Sequence, residues 1–299
     1  MPSRKIRLGA PYRWLVSAFA MLRAHPRPLF RAAILLVGVA ILPSLLELLI
    51  ETALNPSALL RELIQAFFVI VGLLLVPPVS GAVYRMLARL SDNPQTTTLS
   101  LSDIYRDGPL AMRLILTNLV FLMITLAVVF GLIAALGGQP LLDYLRAVQA
   151  MQQAGALATA PAPTGLAPLL VSLVLAMLLI GTAQQLACAQ VALNGRPILA
   201  AVVDGLSASL RNVGALLLFY LPIGLLALTA LLVLALIAAV FFAALSALSP
   251  TLAALLLVPM ALLLLTCLYM LLFAFYYQAW LELFGPEGQP ASALHQLEA

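Results

Sequence analysis

The chain has 299 residues, 64% of them hydrophobic and 9% charged, with a formal net charge of +4 and a mean hydropathy of +1.12. A water-soluble domain carries roughly a quarter of its residues as charges, so this composition excludes a soluble fold and points to repeated membrane spans. In such a chain the positive excess reports orientation and gives no reason to expect a nucleic-acid partner.

Residues 1–10 read as a loose basic tail. They do not form a cleaved leader, because Arg4-Lys5-Ile6-Arg7 is followed by an aromatic amphipathic segment and no small-residue cleavage pattern. Tyr12 to His25 has helical spacing, with Trp14, Leu15, Ala18, Phe19 and Leu22 on one face, and reads as a helix in the membrane interface. His25-Pro26-Arg27-Pro28 is expected to end it. The first span follows over 32–50 with a helix break at Pro43, and the second over 63–87 with breaks at Pro77 and Pro78.

Arg89 and the polar run 91–98 close this hairpin, and Ser100-Leu101-Ser102-Asp103 reads as a capping box for a second short helix through Arg106. Gly108-Pro109 ends that helix, and span three occupies 111–136. The long connection 137–165 holds an expected helix starting at Pro140, with Leu141, Leu145 and Val148 on one face, and then a small-residue linker. Span four runs over 166–193 and closes at Asn194-Gly195-Arg196. A third short helix begins at Pro197 with Leu199, Val202, Val203, Leu206 and Leu210 as its apolar stripe and Asp204, Ser207 and Arg211 opposite. Spans five and six, 213–248 and 251–284, carry expected breaks at Pro222 and Pro259. Tyr276, Tyr277 and Trp280 read as an aromatic girdle at the headgroups.

The chain thus reads as an all-α polytopic membrane protein, a single membrane domain of three parallel units. Each unit is an elbow helix followed by a hairpin of two spans: about 11–90, 99–195 and 197–285, with 286–299 as a loose tail. Arg23, Arg106 and Arg211 stand near the ends of the three elbows as interfacial anchors. Thirteen of the fifteen basic residues fall on the elbow side, Arg61 and Arg146 being the exceptions, which predicts cytoplasmic termini.

The stretches Arg13-Trp14-Leu15 with Leu22-Arg23-Ala24-His25-Pro26, Pro77-Pro78-Val79-Ser80-Gly81 and Ala200 to Asn212 resemble an uncharacterised family of six-span inner-membrane proteins of Gram-negative bacteria. More distantly the chain is similar to the membrane domain that precedes some glycerophosphodiester phosphodiesterases. The resemblance implies a fold and a bacterial inner-membrane location, and brings no agreed activity.

Span four carries the polar groups of interest: Gln184, Gln185, Gln190 and Asn194, with Asn118 on span three at a depth where it could bond to Gln190. Amides on a small-residue face suit helix–helix bonding in lipid. Asp204 beside Arg211 reads as a surface ion pair, and the two cysteines, Cys188 and Cys267, as packing residues in apolar spans. No nucleophile–base set, metal-ligand spacing or phosphate loop is present in the sequence. The expectation is a non-enzymatic protein with no cofactor, acting through membrane lipids or a membrane-protein partner. The alternative is a transporter or channel for a neutral or amphipathic solute.

Overall fold

A computed structural model of the chain describes residues 4–54, 56–92, 105, 107–154, 165–246 and 250–285. The described residues form α1 (Ala10–Ala24), α2 (Pro26–Leu54), α3 (Ala58–Asp92), α4 (Gly108–Leu132), a π-helical turn (Ile133–Gly137), α5 (Gly138–Ala154), α6 (Ala167–Asn194), α7 (Ile198–Arg211), α8 (Val213–Ser246) and α9 (Pro250–Phe284), with no strand among them. Five stretches are long and apolar enough to cross a membrane: α2, α3, α4 continued to Met151, α6, and α9 from Pro259. The pair α7 and α8, bent by 72° at Asn212, adds a sixth when counted as one broken span. The helix expected at Pro140 is α5, which begins two residues earlier.

Local chemistry explains the boundaries. The Asp107 carboxylate accepts from Leu110 N at the start of α4, an N-cap. Gly195, at φ +61°, ends α6: Gly195 N donates to Val191 O and Arg196 N to Gln190 O, the paired bonds of a left-handed helix stop. His25-Pro26-Arg27-Pro28 ends α1 as expected, at Ala24, and the next helix follows at once. Only His25 interrupts the helices, and both prolines sit in the first turn of α2, where a missing N–H has no helical acceptor to lose.

Pro43, Pro77, Pro78, Pro222 and Pro259 all lie inside helices that continue through them. Near the tandem pair Ser80 Oγ donates to Val76 O at 3.0 Å and Tyr105 Oη to Leu75 O at 3.4 Å, whereas the carbonyls that Pro77 and Pro78 leave without their helical donor are those of Leu73 and Leu74.

The core gathers at the end of the bundle that carries α1, α7 and the 195–197 turn, called here the junction end. Val79 to Leu90 on α3, Leu110 to Phe121 on α4, Ile180 to Ala192 on α6 and Met270 to Phe284 on α9 supply most of its buried apolar side chains. Toward the opposite, hairpin end the same helices stand exposed, through Leu45, Leu48 and Leu49 on α2 and Leu59, Leu63 and Phe67 on α3.

The closest helix crossing is that of α6 and α7. α7 folds back along α6, placing Gly205 over Ala183 and Ala187, and Ser209 Oγ donates to Leu179 O at 2.9 Å. A Cβ at Gly205 would collide with the Ala183 carbonyl oxygen, so only glycine admits this approach. The face turned inward is therefore Ala201, Val202, Gly205, Ala208 and Ser209, whereas Leu199, Val203 and Leu210 of the expected stripe point away, 72%, 63% and 62% exposed. Small residues win the contact because they bring two backbones together, and the bulky stripe is left for the surrounding medium.

α1 docks on α9 with a bulky residue, Trp14, turned inward beside Ala18. Trp14 meets Phe275 edge-on with ring centroids 5.7 Å apart, and Tyr12 meets Phe219 of α8 at 5.2 Å. Of the face expected on α1, Trp14 and Ala18 are buried while Phe19 is exposed. Nor is the N-terminal segment a loose tail from residue 4 onward. Ile6 N donates to Asn212 Oδ1 at 2.9 Å, Asn212 Nδ2 to Arg4 O at 3.3 Å, and Arg4 Nη2 to Gly285 O at 3.1 Å. The 286–299 tail, the 155–164 linker and most of the second elbow lie outside the described residues.

Gly205 supplies the first test. Gly205→Ala is expected to cost about 1–3 kcal/mol, as overpacking of a tight contact does, and Gly205→Leu to abolish the monodisperse folded species in detergent. Gly214 is the control, because open space surrounds the position its Cβ would take: Gly214→Ala should stay within about 0.5 kcal/mol. Thermal unfolding followed by size-exclusion fluorescence reads both.

Candidate functional site: a polar layer centred on α6

α6 enters the core with amides and a hydroxyl on several faces, and each neighbour answers with a polar side chain. Gln184 Nε2 donates to Asn118 Oδ1 of α4, and Asn118 Nδ2 in turn donates to Leu114 O at 2.9 Å and to Cys188 Sγ at 3.3 Å. Tyr84 of α3, fully buried, donates to Gln185 Oε1 at 2.8 Å. Thr182 Oγ1 and Tyr220 Oη of α8 lie 2.7 Å apart, and Tyr220 Oη and Tyr276 Oη of α9 3.3 Å. Five long helices are thereby joined at one layer. Gln184 stands ten residues from the end of α6, or ~15 Å at ~1.5 Å per residue, about half of a ~30 Å hydrocarbon core.

The expected bond between Asn118 and Gln190 does not form. Asn118 sits opposite Gln184 and Cys188, while Gln190, one and a half turns nearer the junction end, accepts from Asn194 Nδ2 of its own helix at 2.7 Å. Gln190 is buried and Asn194 exposed, so the five amides divide into a mid-span group and a pair at the helix end. Sequence reasoning does not find the parts played by Tyr84, Thr182, Cys188, Tyr220 and Tyr276. Their only signal is a hydroxyl or thiol inside an apolar run, and for Tyr276 that signal points to the girdle. The girdle is instead turned inward: Tyr277 and Trp280 are buried and stack with centroids 6.2 Å apart. Cys267, expected to pack, is exposed.

At the junction end, charges serve helix ends and elbows. Arg85 bridges Ala192 O at 3.0 Å and Asp107 Oδ2 at 3.1 Å, and Arg113 Nη1 donates to Gly195 O at 3.2 Å. Both guanidinium groups meet the carbonyl-rich end of α6, where cations are favoured. Glu282 takes two donors from α1, Arg13 Nη2 at 2.9 Å and Trp14 Nε1 at 2.8 Å. Asp204 pairs with Arg196 at 3.0 Å. Arg23 and Arg211 occupy the last turns of α1 and α7 and are exposed, while Arg106 lies outside the described residues. The arrangement is one of hydrogen-bonded closure: it fixes helices and presents no aligned nucleophile and base among the described residues.

No family model, no curated protein and no solved structure matches this chain.

Side-chain bonds between spans are worth about 0.6 kcal/mol on average and up to ~1.7 kcal/mol. Tyr220→Phe, which interrupts the Thr182–Tyr220–Tyr276 chain, is expected to fall in that range. Asn118→Leu should cost at least as much, because it strips Gln184 of its acceptor. Reversible unfolding of the reconstituted protein measures both, and the double variant should be additive, since the two bonds share no atom.

Proposed function

We propose that this is an integral protein of the bacterial inner membrane that works without catalysis, through contacts with lipids and with other membrane proteins. In this reading it has six spans and cytoplasmic termini. The observation that carries the proposal is the closure of the α6 layer. Gln184, Gln185, Gln190 and Asn194 each have a side-chain partner within the protein, and spans two, four and six meet through Tyr84, which bonds Gln185 and packs on Phe273 at 5.2 Å. A solute route needs polar groups free to line it, and here they are spent on one another.

The three-unit plan belongs to the same proposal, together with the resemblance to the six-span family. It is supported by the two described elbows. Each docks back along the last span of another unit, ends in an exposed arginine, and joins the next span across a single residue, His25 or Asn212. The exposed stripes on α1 and α7 suit lipid contact, and the arginines suit anionic headgroups.

The test uses single cysteines in a background lacking Cys188 and Cys267. Gln184→Cys should resist a small water-soluble thiol reagent in membranes, because a packed site in the bilayer core holds the thiol protonated and dry, while Asn194→Cys should react. Fast labelling at position 184 would replace this reading by a transport route. For orientation, Thr159→Cys and Ser249→Cys should label with an impermeant reagent on spheroplasts and Thr96→Cys should not; the reverse pattern would invert the topology.

A further inference from the structure

The chain holds Arg4, Lys5, Arg7, Arg13, Arg23, Arg27 and Arg31 before its first carboxylate, Glu47. Arg4 and Arg13 are held by Gly285 O and Glu282. Deeper in the junction end, Arg85, Arg113 and Arg196 each reach a carbonyl or a carboxylate as well. The elbow between α1 and α2 is different. Arg23, Arg27 and Arg31 are exposed there, and none of the three has a hydrogen bond or ion pair among the described residues. The acids at this end of the neighbouring helices do not reach them: Glu282 of α9 is taken by Arg13 and Trp14, and Asp92 of α3 pairs with no arginine among the described residues.

Local physics makes this an unbalanced spot. Arg27 stands in the first turn of α2, and Arg31 follows one turn on along the same face. The start of a helix carries about half a positive charge, so Arg27 adds like charge to like and nothing in the chain offsets it. Each arginine also heads an exposed apolar row. On α1, Tyr12, Val16, Phe19 and Arg23 recur at helical spacing, all exposed. On α2, Arg27 and Arg31 are followed at the same spacing by Ile34, Gly38 and Leu42, also exposed. From Arg31 to Leu42 is eleven residues, ~16 Å of helix, against ~15 Å for one leaflet of hydrocarbon. A cation heading an apolar row one leaflet long has the outline that a phospholipid fits.

We propose that the α1–α2 elbow binds a phospholipid with two phosphates, of the diphosphatidylglycerol class. Arg27 and Arg31 take one phosphate, Arg23 takes the other across the His25 break, and acyl chains lie along Ile34 and Leu42. The inference deepens the lipid-contact reading above and rests on it. Guanidinium forks match phosphate oxygens in pairs. Two phosphates suit the elbow better than one, because a single phosphate leaves two of the three cations without a counter-charge. A lipid suits it better than a free polyanion, since the cations are continuous with apolar rows that hydrocarbon covers.

The full chain, stripped of lipid in detergent and titrated with diphosphatidylglycerol, phosphatidylglycerol or phosphatidylcholine, tests the site by native mass spectrometry. Diphosphatidylglycerol should bind roughly fivefold tighter than phosphatidylglycerol, the factor that one more arginine–phosphate pair is worth at a membrane surface, and phosphatidylcholine should bind weakest. Arg23→Gln, Arg27→Gln and Arg31→Gln should each weaken diphosphatidylglycerol by about fivefold. Arg23→Gln should also remove the preference over phosphatidylglycerol, which extra acyl chains alone would preserve. Arg7→Gln, exposed at the same end, and Arg146→Gln, paired with Asp143 on α5, should change nothing. Equal binding of all three lipids would overturn the site, and equal binding of the two anionic lipids would overturn the two-phosphate assignment; neither result needs a variant to fold. A loss at Arg7→Gln as large as at Arg27→Gln would make the attraction diffuse and overturn the elbow. These outcomes leave the lipid-contact reading standing, whereas water access at position 184 would sink that reading without altering the lipid preference.

Discussion

The structure depends on the near-contact of two backbones at Gly205. Because α7 can lie with its glycine directly against the Ala183 carbonyl, α6 is covered on one side without spending any of its amides. Its other faces remain available to α3, α4 and, through Tyr220, α8. In lipid there is no hydrophobic gain in bringing apolar helices together, so association rests on close packing and on bonds between spans. α6 uses both within one stretch, Leu179 to Gln190.

The elbows follow from the same economy. A short helix in an interface could turn its bulky stripe toward protein or toward lipid, and in water the first would win. Here the bulky stripe of α7 gains nothing from being hidden, since the medium is as apolar as the protein, and the small face gains backbone contact. Arg196 with Asp204, and Glu282 with Arg13 and Trp14, then hold the elbows by their polar edges. Asn212 serves two ends at once: it is the one residue between α7 and α8, and its side chain binds the N-terminal segment that leads into α1.

The all-helical plan, the long apolar helices, α5 and the positions of Arg23 and Arg211 are legible in the sequence because they rest on length, hydropathy and capping chemistry. The face of α7 is not. Leu199, Val203 and Leu210 have the spacing of a buried stripe, and only the identity of the medium reverses its direction. The partner of Asn118 is not legible either, because the axial register of α4 against α6 is set by packing that no single span encodes. The prolines show the same limit: the donor each one removes is readable, while the helices that carry them continue unbroken because the rest of the span holds its ladder. Tyr276 and Trp280 read as girdle residues from their position near a span end. Position gives depth but not direction, and both turn toward protein.

The two ends of the bundle consequently differ in kind. At the junction end most polar side chains are bonded inside the protein, Trp280 Nε1 being a buried exception, and the helices are locked. Toward the hairpin end, the facing rows of α3 and α9 pass from buried to exposed within a few turns, leaving apolar surface that hydrocarbon satisfies as well as protein would. A bundle packed in one half and parted in the other has a cross-section that lipid must complete. Its shape is then set jointly by the chain and by the bilayer, and the point where the first hands over to the second lies near Thr266 and Val76.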